Sequence, residues 1–338
     1  MTRAHSWLSG DYIEALRTRV AALEEECEPI ERKDWKSVTK VDIQKLRELN
    51  GFLEHLEEVE FVVRQKIDDL LNEFVLVHSD TQFQFKPLYA RENFADLIAP
   101  MADKFLFMSS TIFDKKGFCE DLGLPENETR FISLESEFPK ENRPVYVKPV
   151  MKMNFGWNSP DNAKKRDFMV REIKEILEQF KGESGIIHSG NFAISKWLVE
   201  ELRKDSIPHL IFEHNPNDLK KVDRNAQIKE FTASENPSIL ISPSITEGLD
   251  LKDAKSRFCV FVKVPFPNLA DQWINRRMKL SDSWYKRKTF TNIVQGAGRV
   301  VRSREDWGVS FILDESFGYL YNTFQYKVPK WWKEALLK

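Results

Sequence analysis

The chain has 338 residues, 41% hydrophobic and 31% charged, with a formal net charge of −2. That is length enough for two modest cores and an ordinary globular balance, and it excludes nucleic-acid binding through bulk positive charge, so any such face must be local. Three scattered cysteines, Cys27, Cys119 and Cys259, form no CxxC pair, which argues against a disulfide framework or a cysteine-built metal site and suits a reducing compartment.

In chain order, the N-terminus lacks the apolar stretch of a signal peptide, and no apolar run nears the roughly 20 residues of a membrane span. A cytoplasmic protein without a membrane partner is expected, in a bacterial, archaeal or phage-like setting. Residues 11–72 have helical periodicity. Ile13, Leu16, Val20 and Leu23 recur at steps of three and four, and Leu46, Leu49, Leu53, Leu56, Val59 and Val63 make a second stripe. Pro29 and the polar residues around it read as the turn between them. The expectation is a helical hairpin over residues 1–80, used for packing or partner binding.

From residue 73 onward short β-branched or aromatic runs alternate with amphipathic stretches. The runs FVLVH, KFLFMSST, GIIHSG, HLIFEH, SILISPS, FCVFVKVP and VSFILDES read as strands. ARENFADLIAPMA, NFAISKWLVEELRKD and DLKKVDRNAQIKEFTAS read as helices. Such alternation implies right-handed βαβ units, hence an α/β fold with a parallel sheet flanked by helices over residues 81–338. Working groups belong on loops beyond the carboxyl ends of the strands.

Two loops stand out. Gln295-Gly-Ala-Gly-Arg-Val-Val-Arg302 has the form QxxGRxxR ahead of a final strand at Val309–Leu313. Arginines three apart share one helix face and can reach a single anion. Gly298 would permit close backbone approach, and Gln295 could orient a water or a phosphate oxygen; alternatively, the arginines only form surface salt bridges. Earlier, Ser242-Pro-Ser-Ile-Thr-Glu-Gly-Leu-Asp250 follows the run at 238–241. There Gly248 allows a tight turn and Asp250 offers an acceptor, or merely a helix cap.

In this order, about 45 residues apart, the two loops resemble motifs V and VI of the C-terminal RecA-like motor domain of superfamily 2 helicases. Within that superfamily the chain is similar to the XPD/DinG family. Lys104–Ile112 resembles the motif III strand, and Gly185–Phe192 occupies the place of motif IV, so the resemblance covers about residues 81–325. It implies a RecA-like, P-loop NTPase-type sheet. It also implies that Arg299 and Arg302 act as arginine fingers on the γ-phosphate of ATP held by a partner RecA-like domain, with Gln295 positioning water or phosphate. Gly248, Asp250 and Gly298 would line the nucleotide cleft, and Ser242, Ser189 and Asn191 would contact DNA.

The sequence contains no Gly-Lys dipeptide, so no P-loop, and no DEAH-type box. The expected cofactors, ATP and Mg²⁺, would therefore be bound mainly by a first RecA-like domain supplied in cis or in trans. The chain alone should not hydrolyse ATP, and the four cysteines that hold an iron–sulfur cluster in many XPD-like enzymes are absent. Ser310–Glu315 imitates a Walker B strand, but its place after motif VI favours a structural role. Between the two motifs, Arg276, Arg277, Lys279, Lys286, Arg287 and Lys288 interleave with Trp273, Trp284 and Tyr285. That pattern suits single-stranded DNA, or equally a solvated helix with aromatics packed inward. The Trp331-Trp332 pair is expected to anchor a closing helix on the core.

The expected function is the motor half of an ATP-dependent DNA helicase, 5′-to-3′ by resemblance, acting on single-stranded DNA or a junction and serving, for example, DNA repair. The competing reading is a non-catalytic nucleic-acid-binding or interaction protein that keeps the fold.

Overall fold

In the computed structural model the described residues are 6–64, 73–78, 83–213, 224–243, 255–298, 300–301 and 303–337. They form two compact units: one comprises the chain through Glu92 together with Asp271–Arg276, the other Asn93–Ala270 with Arg277 to the end.

The first unit is the hairpin. Helices α1 (Ile13–Glu31) and α2 (Lys40–Arg64) pack along the predicted stripes, with Ile13, Leu16, Val20, Leu23, Leu49 and Val59 buried. Pro29 lies inside the last turn of α1 rather than in the connection. The boundary expected at residue 80 moves to 92. Strand β1 (Phe74–His78) buries Phe74 among Leu8, Ile13, Leu16 and Val59 and pairs antiparallel with β2 (Phe83–Pro87), which keeps residues 83–87 with the hairpin.

The second unit is built on a parallel sheet. Its strands are β3 (Val145–Met151), β4 (Gly185–His188), β5 (Leu210–Glu213), β6 (Ser238–Ser242), β7 (Phe258–Phe261), β8 (Val309–Asp314) and β9 (Leu336–Leu337). Their order is β5-β6-β4-β7-β8-β3-β9, every described pair parallel. Side chains alternate between the two faces as a pleated strand requires. Phe258 and Val260 meet Met169, Ile173, Ile194 and Leu198 of α4 (Ala163–Gln179) and α5 (Phe192–Leu202). Cys259 and Phe261 face the opposite cluster, with Phe290, Ile293 and Val294 of α8 (Asp282–Ala297) and Phe317, Leu320 and Phe324 of α9 (Ser316–Phe324). Ile186 and Leu240 meet Phe231 of α6 (Arg224–Ala233). Coverage on both faces explains why these strands read as continuous apolar runs. This is the helix-flanked RecA-like sheet that was expected.

Helix α3 (Lys115–Leu122) also belongs to this unit, and α7 (Gln272–Leu280), ahead of α8, has its residues through Arg276 in the first unit and the rest in the second. One predicted strand is missing. Residues 104–109 take no regular structure, and no hydrogen bond among the described residues involves the backbone of 104–108. Phe105 and Phe107 lean on Phe94 and Phe118, while Leu106 and Met108 are 80% and 83% exposed. The run has strand chemistry, yet none of the described residues pairs with it. No described helix is long and apolar enough to cross a membrane.

Candidate functional site

The carboxyl ends of the strands are stitched together by their own backbone. Ser189 N donates to Ser242 O at 3.1 Å and Val262 N to His188 O at 3.0 Å, which aligns the tips of β4, β6 and β7. Gly190 turns the chain after β4 at φ +78°, where a Cβ would press to 2.8 Å from the Lys263 side chain. Asp314, at the end of β8, accepts from Met153 N (3.2 Å), Val264 N (2.9 Å) and Ser316 N (2.9 Å) while buried. Its carboxylate is thus committed to three amides, and the Walker B lookalike is a structural stitch. Burial lowers the pKa of Lys263 beneath this rim, and the charge of Asp314 opposes the shift.

Helix α8 brings Gln295 and Gly296 to the rim. Its close approach to the strands falls at Gly296, where a Cβ would lie 2.7 Å from Phe261 Cζ and 3.3 Å from His188 Nε2. The His188 ring stacks on Phe261 at 4.7 Å. The helix ends at Ala297 with Gly298 as its cap (φ −70°, ψ −3°). Arg299 and Arg302, with Gly248 and Asp250, lie outside the described residues. Gln295 is half-buried and lines a cavity of about 1200 Å³ together with Gly298, Leu106, Met108, Phe131 and Trp331.

The proposed DNA contacts fare unevenly. Ser189 is fully buried, its Oγ 2.6 Å from Ser195 Oγ and donating to Asn191 O at 3.2 Å. Ser242 is 2% exposed, so neither hydroxyl reaches the surface. Asn191 caps α5, its Oδ1 accepting from Ile194 N at 2.8 Å. Arg277 is 2% exposed, ion-paired with Asp121 and stacked over Trp284 at 4.8 Å. Arg287 pairs with Asp121 and lies 3.6 Å from Asp114; Lys327 Nζ is 3.2 Å from Asp114 and 3.0 Å from Ser283 Oγ. Burial raises the Asp114 pKa, but the Gly117 amide, Lys327 and Arg287 outweigh it, and the carboxyl titrates below its ordinary value. Lys286 is held by Asp282 at 2.6 Å. Arg277 and Arg287 therefore belong to an internal ion cluster instead of a DNA face, whereas Lys279 and Lys288 stay exposed and Arg276 is half-buried. Tyr285 donates to Pro267 O at 3.0 Å, and Trp332 is buried against Phe290 and Phe317.

With this geometry in place, residues 172–335 match the family described as helicase C-terminal domain, and this part of the chain belongs to that class. A 298-residue stretch is 22% identical to a probable ATP-dependent helicase of Methanocaldococcus jannaschii, covering 77% of this chain and 44% of the relative. Another, of 240 residues, is 21% identical to the ATP-dependent DNA helicase YoaA of Escherichia coli K12, covering 68% and 35%. A third, of 122 residues, is 26% identical to the Fanconi anemia group J protein homolog of Gallus gallus, covering 32% and 10%. The chain thus spans less than half the length of these relatives. A solved XPD helicase shares the fold at TM-score 0.52 and 13% identity, over 98% of this chain and 62% of that one. The chain is thus similar to the helicase C-terminal domain over residues 172–335 and shares its fold with an XPD helicase.

Proposed function

We propose that the chain is the C-terminal motor half of an ATP-dependent DNA helicase, working with a RecA-like domain that brings the P-loop, the DEAH box and bound Mg·ATP. The reading rests on one observation above the others. The helicase-family segment contains Gln295–Arg302, and its Gly296, on α8, sits against His188 and Phe261 at the tips of β4 and β7. In it, Arg299 and Arg302 reach across to the γ-phosphate, Gln295 orients the attacking water, and Gly248 and Asp250 close the nucleotide cleft from this side. Single-stranded DNA or a junction, unwound 5′-to-3′, is the substrate.

The bare apolar run at 104–108 supports the need for a second domain. It lines the same cavity as Gln295, and a run whose amides find no partner among the described residues, with exposed leucine and methionine, is suited to completion by another sheet. The test mixes this chain with the P-loop polypeptide of the same source and measures ATP hydrolysis with and without single-stranded DNA. Turnover is expected only in the mixture, and Arg299→Ala lowers it about a thousandfold or more without loss of association. Unchanged turnover in that variant removes the reading.

A further inference from the structure

The tip of the helical hairpin lies outside the helicase-family segment, and its turn is held by a dense set of hydrogen bonds. Between α1 and α2 a single 3₁₀ turn, Trp35–Ser37, is clamped from both sides. Asp34 accepts from Lys36 N through its carboxylate (3.0 Å) and from Ser37 N and Oγ through its carbonyl (both 2.8 Å). Thr39 and Asp42 cap α2 reciprocally: Thr39 N and Oγ1 donate to the carboxylate at 2.8 Å, and Asp42 N donates to Thr39 Oγ1 at 3.2 Å. Lys33 closes onto the same carboxylate at 2.9 and 3.0 Å. None of these bonds uses the side chain of Trp35, which stands 79% exposed on the clamped turn.

A lone exposed apolar residue calls for no explanation, but this indole has company. Lys36 Nζ lies 5.5 Å from its ring centre, and the exposed Lys40, five residues on in the chain, opens α2. The nearby acids are largely occupied: Asp34 serves the turn, Asp42 is 8% exposed and holds Lys33, and Glu28 holds Arg32. Among the described residues no carboxylate pairs with Lys36 or Lys40.

We infer that the hairpin tip is a stacking site for a base of single-stranded nucleic acid, with Trp35 as the platform and Lys36 and Lys40 on the adjoining phosphates. The juxtaposition supplies both parts of sequence-tolerant single-strand binding, a π-face and local positive charge. The rigid turn lowers the cost of ordering the indole. The inference is independent of the ATPase reading, because the hairpin carries none of the motif residues.

The test is fluorescence anisotropy of the whole chain with a labelled oligothymidine of about 20 nucleotides. Trp35→Ala weakens binding about tenfold, and Trp35→Phe stays within about threefold of the parent. On an abasic oligomer of the same length, the parent and Trp35→Ala bind alike. The double substitution Lys36→Gln, Lys40→Gln lowers the salt slope by about 1.4. Circular dichroism of Trp35→Ala, whose indole packs on nothing in the core, is expected to match the parent. The inference is overturned if the parent does not bind, if Trp35→Ala binds oligothymidine like the parent, or if its loss is equal on the abasic oligomer.

Discussion

Two short runs of nearly the same composition end in opposite situations. Phe258-Cys-Val-Phe261 lies between β4 and β8 with all four residues at 0% exposure. Lys104-Phe-Leu-Phe-Met108 has equal strand character, yet it is irregular, unpaired and bare along one side. Local preference does not separate them. A strand is completed by the N–H and C=O groups of a neighbour, and only one of these runs finds neighbours among the described residues.

The largest expected effect tests this directly. Phe258→Ala, which vacates a ring packed on Gly185, Phe180 and His209, should cost about 3–5 kcal/mol in chemical denaturation. Leu106→Ser should stay within about 0.5 kcal/mol in the same experiment. Equal losses would mean that Leu106 is buried in solution and that the contrast is false. Next comes the rim beside β7. Asp314→Ala orphans three amides and should destabilise by about 3 kcal/mol. Had Asp314 been a metal ligand, the substitution would leave stability intact and affect only the turnover of the mixture.

The smallest effect concerns the hairpin, whose order depends on charge as well as apolar burial. The Thr39 amide, Lys33 and the Thr39 hydroxyl pull the Asp42 carboxyl down to about 2. A depressed folded-state pKa gives stability that is complete above the ordinary carboxylate value and is lost as pH falls through about 2. Acid titration of helicity should therefore show a decline between about pH 4 and 2 that Asp42→Asn lacks. An unchanged profile in that variant would remove Asp42 as the cause.

Much of this fold is written plainly in the chain. The runs that became β4, β6, β7 and β8 are visible because strands covered on both faces need apolar residues throughout. Strand β3 is hidden by Lys148 and Pro149; its register breaks between Val147 and Met151, where a proline without an N–H is tolerated. Strand β9 is only two residues long and gives no pattern. At the site, the motif exposes Gln295 and Gly296, but the end of α8 at Ala297 depends on packing that no spacing reveals. The run Arg276–Lys288 looks like a surface for DNA because a sequence carries no mark of a distant counter-ion. Asp121, which holds Arg277, lies 156 residues away.

One glycine carries a consequence for which substitutions the chain can accept. Gly117 sits in α3, where a Cβ would fall 1.5 Å from Arg287 Nη1, on a guanidinium whose Nη1 lies 3.6 Å from Asp114 and whose Nη2 pairs with Asp121. Glycine weakens a helix interior, so its presence there is explained by the guanidinium that fills the vacancy. Residue 117 can therefore be enlarged only if the Arg287 guanidinium moves aside or its side chain is shortened, which loosens its contacts with Asp114 and Asp121.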